Sequence, residues 1–76
     1  MKKYVYTVKG LDSKENGTAV VQALYTVLPT AEEVSFSVEQ STLFFSAIIP
    51  KEERERVEGQ LADALKDTGF ELILPE

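Results

Sequence analysis

Hydrophobic side chains occupy every second position near the start of the chain. Tyr4, Tyr6 and Val8 are separated by single β-branched residues, and aromatic and β-branched residues are typical of strands. Because successive side chains of a strand point to opposite faces, these three would share one face. The pattern predicts a first strand that ends before Gly10.

The hydrophobic spacing then changes to that of an amphipathic helix, and Pro29 closes the segment. The start of this helix is open. Asp12 or Ser13 would cap a helix that begins at Lys14, whereas an Asn-Gly turn signal follows and would delay the start to Thr18. The residues with helical spacing are Val20, Ala23, Leu24, Val27 and Leu28.

The middle of the chain predicts a β-hairpin. Residues 34–38 alternate strictly between apolar and polar, residues 39–41 are polar, and residues 43–49 are mostly apolar. Two such runs joined by a short polar turn are typical of paired antiparallel strands.

A second helix is predicted after Pro50, a residue that suits the first position of a helix. Gly69 is a candidate for its C-terminal cap, and residues 70–74 predict a closing strand. The predicted inward-facing residues are Val57, Leu61, Ala64, Leu65 and Thr68.

The predicted order is β-α-β-β-α-β, the ferredoxin-like arrangement of the α+β class. In this sandwich a four-stranded antiparallel sheet carries both helices on one face. With 76 residues the chain has room for one core only, so residues 1–76 are predicted to form a single domain.

Composition narrows the possible functions. The chain has no cysteine or histidine and a formal charge of -5. Its basic residues are scattered, whereas nucleic acids are bound by a basic stripe, so we expect no nucleic-acid partner. No apolar run approaches the roughly 20 residues that cross a bilayer, and no signal-peptide core is present. We expect a soluble, cytoplasmic domain with no membrane insertion.

The loop at residues 10–16 and its surroundings carry a family resemblance. Gly10 opens the loop, Val20, Ala23 and Leu24 follow at fixed distances, and a Gly-Phe pair stands at residues 69–70. This layout resembles the heavy-metal-associated (HMA) domain of copper chaperones and metal-pumping ATPases, whose loop reads Gly-Met-x-Cys-x-x-Cys. In the matching frame the two thiolate positions are occupied by Ser13 and Asn16. The resemblance implies the same ferredoxin-like fold in a degenerate member that lacks the metal-binding cysteines, with Phe70 packed over the loop.

Three interpretations of this loop are open. Soft ions such as Cu(I) prefer thiolates, which serine and asparagine oxygens do not replace, so we predict no soft-metal site and no cofactor. Asp12, Glu15 and Asn16 could instead offer oxygens to Ca²⁺ or Mg²⁺. Alternatively, the polar residues of the loop only cap the helix and satisfy its free N–H groups.

Two surfaces are candidates for binding a protein partner or a second copy of the chain. No charged residue occurs in residues 16–31, so the outward arc of the first helix is neutral. The resemblance implies partner contacts there, because HMA-like chaperones engage partner domains through this region. The outward face of the sheet is the second candidate. The predicted contact residues are Val21, Gln22, Tyr25 and Thr26 on the helix, and Phe44 and Ile48 on the sheet.

No nucleophile, base and oxyanion-binding set can be assembled from this composition, so we predict a non-enzymatic protein. The sequence favours an HMA-like interaction or regulatory module without the soft-metal site. The alternative is a metal-homeostasis or metal-transport protein that binds a metal weakly through the loop oxygens.

Overall fold

Four antiparallel strands form a single sheet in the order β2-β3-β1-β4. The computed structural model describes residues 2–73. The strands are β1 (Lys2–Lys9), β2 (Glu32–Ser37), β3 (Thr42–Ala47) and β4 (Glu71–Ile73), and the helices are α1 (Lys14–Val27) and α2 (Arg54–Asp67). Both helices cover one face of the sheet, which confirms the predicted ferredoxin-like fold. Leu74, predicted to belong to the last strand, lies outside the described residues.

The core lies between the sheet and the helices. Tyr4, Tyr6 and Val8 are buried on the inner face of β1, as their alternation predicts. Tyr4 is paired with Phe45 of β3, and their rings stack with centroids 5.4 Å apart. Leu24 of α1 is fully buried. The hydrophobic effect of burying these apolar side chains is the largest favourable contribution to the stability of so small a domain.

Helix α1 begins at Lys14, which decides between the two predicted starts. Gly17 therefore lies inside the helix, where glycine costs about 1 kcal/mol relative to alanine. The reason is close packing, because a Cβ atom on Gly17 would lie 2.2 Å from the ring of Phe36. The glycine that suggested a turn is needed for the approach of α1 to β2.

Helix α2 ends at a glycine cap, as predicted for Gly69. Gly69 has a φ of 92°, and its N–H donates to the Lys66 carbonyl while the Phe70 N–H donates to Leu65. This pair of bonds is a Schellman motif. The prediction that Thr68 faces the core was wrong: Thr68 is exposed, and its hydroxyl donates to the carbonyl of Leu65 at 2.9 Å.

Neither helix within residues 2–73 has the length and apolar character that crossing a bilayer requires.

Candidate functional site

The loop between β1 and α1 is shaped by a glycine packed under an aromatic ring. Gly10 adopts a φ of 99°, a left-handed conformation that favours glycine. A Cβ atom at this position would lie 3.1 Å from Cδ1 of Phe70. Phe70 is itself buried and packs over the loop, as the resemblance implies. The loop is thus fixed from one side by the core.

Ser13, at the first of the two positions that the HMA resemblance assigns to ligands, caps helix α1. Its backbone is extended, with φ −151°, and its hydroxyl accepts the backbone N–H of Asn16 at 3.2 Å. The first N–H groups of a helix have no partner within the helix, and a serine oxygen at the N-cap satisfies one of them. The Ser13 oxygen therefore serves the helix.

Asn16, at the second ligand position, joins three parts of the loop. Its side-chain nitrogen donates to the carbonyl of Gly10 at 3.0 Å and to the carboxylate of Asp12 at 2.5 Å. Both partners are acceptors, so the amide directs its donor end toward them. The Asn16 side chain closes the loop by hydrogen bonds.

Ser41, in the turn between β2 and β3, holds the same loop from a third direction. Its hydroxyl donates to the carbonyl of Leu11 at 3.0 Å, and its carbonyl accepts the N–H of Val8 at 2.7 Å. Sequence reasoning placed Ser41 in a turn and missed this role. The contact depends on the fold bringing together residues that are 30 positions apart, and no local pattern reports it.

These donors do not fit a soft metal ion. Cu(I) is held by polarisable thiolates, whereas Ser13 offers a hydroxyl already used as a cap and Asn16 turns an N–H donor into the loop. The oxygen-ligand set is brought together only in part. Asp12 and Asn16 are in contact, while Glu15 is exposed and has no hydrogen bond to either in the described chain. Among residues 2–73 no group of three or more carboxylates is arranged to hold a metal ion. Binding of Ca²⁺ or Mg²⁺ at these three residues stays an untested alternative.

The outward arc of α1 lies in the C-terminal half of this helix. Gln22, Tyr25 and Thr26 are exposed and Val21 is half-buried. Tyr25 leaves 42% of its surface accessible, so an aromatic ring lies on a helix face that carries no charge. We refer to these four residues as the α1 arc.

The outer face of the sheet is a separate surface, because the helices cover the opposite face. Val5, Phe44 and Ser35 lie side by side on three adjacent strands. Val5 is 56% exposed, whereas Phe44 is half-buried. Ile48 is 78% exposed but follows the end of β3. The two predicted sheet residues therefore lie at different parts of this surface, and Phe44 offers less area than the alternation alone indicates.

No protein-family model matches this sequence, and no curated protein matches it. Two solved structures share its fold. One is described as "CopZ metallochaperone": it has 16% sequence identity and a TM-score of 0.69 over 95% of this chain and all of that one. The other carries the description "Crosstalk between Cu(I) and Zn(II) homeostasis", with 13% identity and a TM-score of 0.72 over 99% of this chain and all of that one. The chain shares the fold of these two structures. At this level of identity the similarity concerns the fold alone.

Proposed function

We propose that this chain is a non-catalytic, cytoplasmic protein-interaction domain with an HMA-like fold and no soft-metal site. The observation that carries the proposal is the pair of hydrogen bonds from Asn16 to Gly10 and Asp12. They occupy the loop position at which the HMA pattern places a thiolate. A loop closed in this way keeps its shape without an ion.

The α1 arc is the proposed docking surface. A solvated helix ordinarily carries charges on its outer face, and α1 has none after Glu15. The core of a protein interface is depleted in charged residues and enriched in aromatic ones. Tyr25, exposed in the last turn of α1 on this neutral face, is the type of residue that anchors such an interface.

The descriptions of the two structural neighbours support a role for this chain in metal homeostasis. One is a metallochaperone and the other is described by Cu(I) and Zn(II) homeostasis. We infer a regulatory domain that contacts a metal-handling protein and does not itself carry a soft ion.

Photo-crosslinking in cells that express the chain naturally tests this proposal. The crosslinking amino acid p-benzoylphenylalanine replaces Tyr25 in one variant and Gln60, exposed on α2, in a matched control. We expect a protein adduct from position 25 that is absent from position 60. The captured protein is then produced in pure form and titrated into the ¹⁵N-labelled chain.

The titration has a defined expected result. The amides of α1 shift, and Tyr25→Ala weakens binding by about tenfold or more, as expected for an interface anchor, while Gln60→Ala leaves the affinity unchanged. Equal adducts from both positions, or shifts confined to α2 or to the outer sheet face, would overturn the α1 arc as the docking surface.

A further inference from the structure

A second feature lies at the end of the molecule opposite the loop, where β1 begins and the chain enters α2. A cleft of about 230 Å³ opens there. Tyr4 and Ile49 provide an aromatic and an aliphatic wall. The other lining residues are all cations, namely Lys2, Lys51 and Arg54. This basic cleft shares no residue with the loop or the α1 arc.

The charges of the basic cleft are concentrated around one ring. The Lys2 ammonium lies 5.9 Å from the centroid of Tyr4, and the Arg54 guanidinium carbon lies 5.7 Å from it. The negative face of an aromatic ring attracts cations at such distances. Two like charges beside one ring also repel each other, and a bound anion would relieve that repulsion.

Within residues 2–73, one carboxylate, that of Glu58, is paired with a cation of the basic cleft. Glu58 accepts the hydroxyl of Tyr6 at 2.8 Å and pairs with Nε of Arg54 at 3.4 Å. Glu53 pairs with Arg56 on the outer side of the helix. Over residues 2–73, Lys2 and Lys51 make no salt bridge, and the terminal nitrogens of Arg54 make no hydrogen bond. Three of the eight basic residues of an acidic chain thus converge here, and in the described part of the chain only Arg54 of the three has a carboxylate partner.

We propose that the basic cleft binds a small organic oxyanion, a phosphate ester or carboxylate that carries a short apolar group. The planar fork of Arg54 suits the paired oxygens of either anion, and the two lysines add point charges. The walls formed by Tyr4 and Ile49 favour an apolar substituent over the bare inorganic ion. The size of the cleft fits a small molecule.

Phenyl phosphate, benzoate and inorganic phosphate are the probes, each titrated into the ¹⁵N-labelled chain, with sodium chloride at matched ionic strength as the blank. We expect saturable shifts at the amides of Tyr4, Lys51 and Arg54, with a dissociation constant of about 1 mM or below for the better aromatic anion. The comparison of phenyl phosphate with benzoate identifies the preferred oxyanion. Inorganic phosphate should bind more weakly than phenyl phosphate.

Two variants make the test specific. Lys51→Ala removes an exposed cation of the cleft, and Lys66→Ala removes an exposed cation at the other end of α2. We expect Lys51→Ala to weaken binding by at least about threefold, a loss of the order seen for single exposed charges, and Lys66→Ala to leave it unchanged. Identical shifts with sodium chloride, no saturation by about 20 mM on this affinity scale, or equal effects of the two variants would overturn the proposal.

Discussion

At the scale of single residues, the loop depends on the hydrogen-bonding capacity of Asn16. Removing its side chain in Asn16→Ala leaves the Gly10 carbonyl and the Asp12 carboxylate without their common donor. We expect the free energy of unfolding to fall by about 1–2 kcal/mol, the usual loss for hydrogen bonds of this kind. Urea unfolding measures the change.

Thr18→Ala is the matched control for this variant. Thr18 is exposed on the same helix, and its hydroxyl only bonds back to the carbonyl of Lys14. The control should change the stability by less than about 0.5 kcal/mol. Equal stabilities for the two variants would show that Asn16 does not hold the loop.

Residue types predicted part of this loop. The cap at Ser13 follows from the preference of serine for helix N-termini and needs no knowledge of the fold. The reach of Asn16 back to Gly10 depends on the left-handed turn at that glycine. The contact of Ser41 with Leu11 depends on the whole sheet. Neither of these is visible in a local pattern.

At the scale of elements, the packing of α1 against β2 relies on Gly17. Alanine is ordinarily the better helix former by about 1 kcal/mol, yet a Cβ at this position would lie 2.2 Å from the Phe36 ring. We expect Gly17→Ala to destabilise the domain by about 1–3 kcal/mol, the usual cost of overpacking. Thermal and urea unfolding both report this change.

Gly59, exposed in α2, provides the contrasting variant. Nothing lies within 4 Å of a Cβ built there, so Gly59→Ala should stabilise the domain by up to about 1 kcal/mol through helix propensity. If both alanine variants gained stability, the close approach of α1 to Phe36 would be wrong.

The contact of Tyr6 in β1 with Glu58 in α2 is expected to make the free energy of unfolding depend on pH. Burial, reinforced by the hydrogen bond to Glu58, raises the pKa of Tyr6 from 10.0 to about 12. The folded state therefore keeps a proton that the unfolded chain loses first. This contribution is fully present below pH 10 and is lost as the pH rises toward 12, by an amount on the order of 3 kcal/mol.

Tyr6→Phe isolates this effect from the titration of lysines and the other tyrosines. Urea unfolding between pH 9 and 12 should show a steeper fall of stability in the parent chain than in the variant, with the excess confined to the interval between the two pKa values of Tyr6. If the free energy of unfolding falls equally with pH in the parent chain and in Tyr6→Phe, the buried pairing of Tyr6 with Glu58 would be contradicted.

Hydrophobic periodicity predicted the elements better than their ends. The alternation around Tyr4 and the helical spacing around Leu24 gave the correct element types and order. The predicted strand through Ile49 ends at Ala47, because the chain there leaves the sheet toward the turn that precedes α2. The point at which a chain leaves a sheet depends on tertiary packing, and hydrophobic spacing in the sequence carries no information about it.

At the scale of the whole molecule, the two faces of the sandwich are more available for association than the β2 edge of the sheet. Edge strand β2 has an irregular register between Glu32 and Ser35 and carries Glu33 with a φ of 52°. Bulges and charges on an edge discourage strand addition. Binding is therefore expected on the helical face at the α1 arc, with the outer sheet face as the second surface.

Under the proposed function, the fold retains the frame of an HMA-like loop and closes it with the hydrogen bonds of Asn16. The frame should accept a soft ion once thiolates are restored. The double variant Ser13→Cys/Asn16→Cys places sulfur at both ligand positions, and the helix N-terminus favours the thiolate form. The parent chain is the matched control.

The most direct measurement is an anaerobic Cu(I) titration of both ¹⁵N-labelled chains that follows the amides of residues 11–18, with Mg²⁺ and Ca²⁺ titrated in parallel. We predict one Cu(I) bound per chain in the double-cysteine variant, and no loop shifts in the parent chain with Cu(I) or with either divalent ion at about 1 mM, a concentration that reaches weak oxygen sites. Shifts of the parent loop at stoichiometric Cu(I), or saturable shifts with Mg²⁺ or Ca²⁺ at Asp12, Glu15 and Asn16, would show that the loop binds metal and would contradict the proposed metal-free loop.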